Sequence, residues 1–97
     1  MKQRLYLYPG KGEGEPHYLD RVGTVQDLAK SGMTLTEGMT VGFWMDDADD
    51  RGQEDNLLFE GTVHFDAHRQ QWYALIDWAS FHHESDERVE QPEQRGE

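Results

Sequence analysis

Between residues 39 and 78 apolar and polar side chains alternate with a period of two, the signature of strands that bury one face. Met39, Val41, Phe43 and Met45 share one parity, and Leu57, Phe59, Gly61, Val63 and Phe65 share a second. Trp72, Ala74, Ile76 and Trp78 form a third set. Pairing Met45 with Leu57 sets Phe43 against Phe59 and Val41 against Gly61, with residues 46–56 as the connection. Pairing Phe65 with Trp72 sets Val63 against Ala74 and Gly61 against Ile76, across a tight loop at residues 67–70. Both registers turn the same face of the middle strand inward. A one-residue slip in either would expose its whole apolar set, so the three strands are expected to form an antiparallel meander. Gly61, in the middle of the central strand, marks a bend that lets the small sheet curl.

Upstream, Arg4 to Tyr8 reads as a short strand with Leu5 and Leu7 on one face and Tyr6 and Tyr8 on the other, ended by Pro9-Gly10. Residues 10–16 carry three glycines and no apolar side chain, so they read as a loop. Thr24 with Asp27 resembles a capping box that opens a helix over residues 24–31. Val25, Leu28 and Ala29 form its packing face, and Gly32 stands where a left-handed residue ends it. Residues 79–83 read as one helical turn that folds Trp78 and Phe81 back onto the sheet. Beyond Glu84 the only aliphatic residue is Val89. The expected organisation is a single β-barrel domain over residues 1–83 and a disordered acidic tail over residues 84–97.

About five short strands, a long polar connection, a tight hairpin and a short terminal turn resemble the layout of SH3-like barrels. The resemblance spans roughly residues 39–83 and rests on no family motif. It implies a mainly β, small antiparallel barrel with one short helix, and no activity.

Composition refines this picture. The chain has 97 residues, a mean hydropathy of -0.94 and a net charge of -11, values that lean towards disorder. Eight of the 11 aromatic residues lie between residues 43 and 81, however, and rings at alternating positions supply the missing burial. The acidity is local. Residues 46–55 hold six acids against Arg51, and residues 84–97 hold six against Arg88 and Arg95. Direct nucleic-acid binding is disfavoured by sign, since phosphate affinity comes from Lys and Arg. Without cysteine there are no disulfides or thiolate sites. The start of the chain does not resemble a signal peptide and no apolar run is long enough to cross a membrane, so the cytoplasm is the expected location.

Catalytic and metal motifs fail one by one. Gly10-Lys11-Gly12 lacks the third glycine of a dinucleotide fingerprint and the Gly-Lys-Ser/Thr of a phosphate loop. Counting Asp47 and Asp49 as the first ligands of a calcium loop puts Arg51 and Leu58 where ligands belong. A histidine-held zinc or iron would need His64, His68, His82 and His83 to converge at one barrel end, without a recognised spacing. Glu60 and Asp77 are expected neighbours on the outer face, an exposed pair with weak claim to acid-base work. No cofactor and no catalysis are expected.

The outer face is the better candidate. Trp44 and Leu58 are cross-strand partners pointing away from the core, and Tyr73 and Leu75 continue that face. Large rings with polar handles are enriched at binding surfaces. A two-turn helix cannot cover both faces of a curled sheet, so Trp44 and Tyr73 are expected to stay partly accessible. The expected function is a non-catalytic module binding a protein partner through this patch or the acidic loop. Two other classes stay open: a metal-binding domain using the acidic loop or histidines, and an acidic mimic occupying a basic nucleic-acid-binding surface.

Overall fold

The meander forms in the expected register. The computed structural model describes residues 4–89 and contains β1 (Arg4–Tyr6), β2 (His17–Tyr18), α1 (Val22–Ser31), β3 (Thr40–Met45), β4 (Leu57–Asp66), β5 (Gln71–His83) and α2 (Glu84–Val89). Val41 faces Gly61 and Phe43 faces Phe59, while Val63 faces Ala74 and Phe65 faces Trp72. The five strands run in the order β1-β3-β4-β5-β2 and curl into half a barrel, a mainly β fold. Leu5, Leu7, Val41, Phe43, Phe59, Val63 and Ala74 fill its concave side, joined by Leu19. A Cβ at Gly61 would lie 2.9 Å from the Leu75 carbonyl oxygen and 3.2 Å from the Phe43 ring, so only glycine lets β4 approach β5 this closely.

The sheet is mixed, which corrects the expected all-antiparallel barrel. β1 pairs with β3 in parallel, Leu5 beside Phe43 and Tyr6 beside Trp44. The chain between them passes through α1, and a parallel pair needs such a crossover. The sequence pattern revealed both strands and the helix but not that the helix was their connection.

α1 begins earlier than its expected capping box. Arg21 is the N-cap and makes no side-chain cap, whereas Gly32 ends the helix with φ 68° as expected. Thr24 is fully buried inside the helix, and its hydroxyl donates to the Tyr6 carbonyl at 2.6 Å. The Asp27 carboxylate accepts the Tyr6 N–H at 2.9 Å. Two side chains thereby satisfy the outward N–H and carbonyl of Tyr6 at the end of edge strand β1 and block further pairing there. This work rotates the expected packing face away: Leu28 packs on the core, but Val25 is 48% exposed and Ala29 is also exposed.

The expected helical turn at residues 79–83 is instead strand containing a wide bulge. Glu60 faces Asp77 but Leu58 faces His82, so residues 78–81 all lie opposite Phe59. Ser80 bridges the irregularity, accepting the Glu60 N–H at 2.8 Å and donating to the Asp77 carbonyl at 2.6 Å. Phe81 stacks on Phe59 with ring centroids 4.5 Å apart, and Trp78 stacks on Phe81 at 5.0 Å. The expected tail also starts too early. Residues 84–89 form α2, tied down by Glu84 N–H on the Asn56 carbonyl and by Ser85, whose N–H and hydroxyl donate to buried Asp55 at 3.0 and 2.7 Å. Residues 90–97 lie outside the described range.

Candidate functional site

Register places Arg4, Tyr6, Trp44, Leu58 and Glu60 on the convex, outer face. Arg4 stands beside Gly42, and the absent side chain there leaves room for the guanidinium to cross the sheet: a Cβ at Gly42 would lie 3.1 Å from it. Arg4 donates from one nitrogen to the carbonyls of Phe43 and Phe59, both at 3.1 Å. Beside it the Trp44 indole N–H donates to Asp27 at 2.9 Å, and the Trp44 ring meets Tyr6 edge-on at 5.2 Å. Asp27 therefore holds both the edge strand and the orientation of the outer-face ring.

Arg4 and Trp44 wall an open hollow of about 840 Å³, with Leu58 among its lining and Glu60, His82, Glu84 and Glu87 around it, within the size range of ligand sites. The four expected binding residues divide into two groups. Trp44 is half-buried, while Leu58 is only 5% exposed and serves as covered floor. Tyr73 and Leu75 lie towards the other end of the face. There Tyr73 packs against Tyr18 and His64 at 5.5 and 5.6 Å, and Leu75 is 38% exposed. They are not part of the Trp44 hollow.

The residues the sequence did not single out here are Arg4, Asn56, His82, Glu84 and Glu87. Arg4 had the correct parity, but its role depends on the parallel pairing. Asn56 and Glu87 depend on the docking of α2. The Asn56 side-chain oxygen is buried beside the hollow and has no hydrogen-bond partner among the described residues.

His82 is held at both nitrogens. Nδ1 contacts the Ser80 carbonyl at 2.8 Å and Nε2 contacts Glu87 at 2.7 Å. A carbonyl and a carboxylate both require a donor, so this geometry selects the imidazolium. The Glu87 bond, more than the Ser80 bond, raises the His82 pKa above its ordinary value. His83 bonds Asp47 at 2.7 Å, which raises the His83 pKa and lowers that of Asp47. Arg4 lies 3.9 Å from Glu87. Cations thus latch α2 and the acidic connection to the sheet.

The connection at residues 46–56 is itself a small hairpin. Ala48 pairs with Glu54, and Asp49 accepts the N–H groups of Arg51 and Gln53, both at 2.9 Å. Asp47 and Asp49 are occupied with these local bonds and with His83. His64 and His68 do not converge with His82 and His83, because the two pairs lie at opposite ends of the β4–β5 ladder. His64 instead bonds Glu37 at 2.6 Å. Among the described residues no group of three or more His, Asp or Glu could hold a metal ion. Glu60 and Asp77 are paired as expected, and Asp77 accepts the Ala79 N–H at 3.1 Å. No described helix is long and apolar enough to cross a membrane. No protein-family model, no characterised protein and no solved structure matches the chain.

Proposed function

We propose that the chain is a non-catalytic module that binds a basic segment of a protein partner in the Trp44 hollow. The observation that carries this reading is an aromatic ring held rigid from behind, by Asp27 and Tyr6, at the wall of an open concavity. Such a ring makes contact at little entropic cost, the property that makes tryptophan a frequent interface anchor. Among the described residues three carboxylates, Glu60, Glu84 and Glu87, line it with Arg4 and His82, and Glu87 is already engaged by both of those cations. The net charge of -11 adds a long-range field that draws cations in. An arginine side chain suits the site, since it can lie on the indole face while donating to carboxylates. The buried Asn56 oxygen adds an acceptor that needs a donor.

The test compares an unstructured arginine-rich peptide with its citrulline counterpart, which keeps the shape and removes the charge. The arginine peptide should bind and the citrulline peptide should not. Trp44→Ala should weaken association by about 2 kcal/mol or more, as loss of an interfacial anchor does. Its cost in folding stability should stay below the roughly 3–5 kcal/mol of a fully buried large aromatic. Unchanged peptide affinity in Trp44→Ala would overturn the reading.

A further inference from the structure

A second hollow, of about 620 Å³, has the opposite polarity. Lys11 reaches its wall from the loop after β1, Arg21 from the start of α1 and Arg69 from the β4–β5 hairpin. Among the described residues Asp20 is the single carboxylate that lines it. Along this lining, among the described residues, three cations stand against one acid in a chain whose net charge is -11, with Asp66 beside Arg69 as a second acid nearby. The side chains of Lys11 and Arg21 make no hydrogen bond or ion pair among the described residues. Arg69 lies over the Tyr18 ring at 4.7 Å, near Asp66, which the Tyr18 hydroxyl holds at 2.7 Å. Three segments distant in sequence thus carry cationic side chains to one hollow, whose field favours an anion.

The site is built as well as charged. His17, 4% exposed, lines the hollow and pins the loop that carries Lys11. Its Nδ1–H donates to the Glu15 carbonyl at 3.1 Å, and its Nε2 accepts the Lys11 N–H at 3.2 Å. The Nε2 bond needs the neutral ring, since a protonated Nε2 cannot accept. The Lys11 backbone is therefore already engaged, and this residue offers an anion only its side chain, unlike a phosphate loop. Tyr8, 57% exposed, lays its ring over Gly10, where a Cβ would sit 2.6 Å from it. That ring is a flat surface at the wall of the same hollow.

The geometry points to a mononucleotide site, with the phosphate held by Lys11, Arg21 and Arg69 and the base stacked on Tyr8. It is independent of the Trp44 hollow. The experiment is a titration of the full chain, followed by backbone amide resonances at low ionic strength, with AMP, adenosine and inorganic phosphate in parallel. AMP should give saturable shifts centred on Lys11, Arg21 and Arg69, with adenosine and phosphate each about tenfold weaker or more. Lys11→Gln with Arg21→Gln should weaken AMP binding by at least about tenfold at an unchanged melting midpoint. If that pair disturbs folding, Arg21→Gln alone, at an exposed position, carries the test. No saturable shift by about 5 mM AMP would overturn the proposal, as would adenosine or phosphate binding as tightly as AMP.

Discussion

Thr24 and Asp27 perform work that no local motif announces. A threonine followed by an aspartate three residues later resembles a helix start, yet both side chains serve the backbone of a strand instead. Thr24→Val keeps the volume but leaves the Tyr6 carbonyl without its donor. A loss of about 1–3 kcal/mol is expected in a urea melt, with Thr24→Ser recovering most of it. An unchanged midpoint in Thr24→Val would show that the Tyr6 carbonyl finds another donor. Gly61 poses the opposite problem, because a methyl there meets the backbone of β5, which cannot turn aside as a side chain can. Gly61→Ala should cost about 1–3 kcal/mol and shift the amide resonances of Leu75 and Ile76. Both residues stood out in the sequence, but only Gly61 did so for the right reason: strand parity put it in the central strand, whereas Thr24's partner lies 18 residues away.

At the scale of elements, α2 and the acidic hairpin depend on two histidines whose pKa values are raised by carboxylates on the elements they hold. Around His82 stand Glu87 of α2 and Arg4 of β1, and around His83 stand Asp47 and Asp55 of the hairpin with Asp86 of α2. Because the folded pKa values lie above the unfolded one, this stabilisation is complete below the ordinary histidine pKa. It is lost as pH rises through the folded values. His17 behaves oppositely: burial lowers its pKa, so its contribution is present above the ordinary value and disappears as pH falls towards the folded one. Imidazole resonances should place His82 and His83 above the ordinary value and His17 below it, and the amides of Ser85 and Glu87 should follow the His82 and His83 titrations. Titration of His82 and His83 at or below the ordinary value would contradict the latch.

The same scale shows where the sequence stopped being informative. Strand pairing followed from parity because a slipped register exposes a whole face. β2 escaped notice because two residues carry no periodicity, and the bulge escaped because a serine hydroxyl replaces ladder bonds there. α2 was hidden for a related reason: its anchors are Asn56 and Asp55, in a connection that composition alone marks as solvated charge.

For the whole molecule, a chain of net charge -11 carries two hollows of opposite polarity. One is rimmed by carboxylates around a fixed indole, the other walled by cations. Screening the acids should raise the melting midpoint between about 0.01 and 0.15 M salt, as the Debye length falls from roughly 30 to 8 Å. A midpoint that falls over this range would mean that attractive pairs such as His83–Asp47 outweigh repulsion among the acids.

Trp44 and Leu58 were legible as outer-face partners. The hollow around them was not, since its wall needs Arg4 from a parallel strand and Glu87 from α2. The most direct test of the binding account is where an arginine-rich peptide lands, mapped by backbone amides and the Trp44 indole N–H. The account predicts saturable shifts at Trp44, Leu58, Glu60 and Glu87 that survive about 0.15 M salt, where exposed charges more than roughly 8 Å apart are largely screened. Shifts confined to residues 46–55 and vanishing at that salt concentration would contradict it.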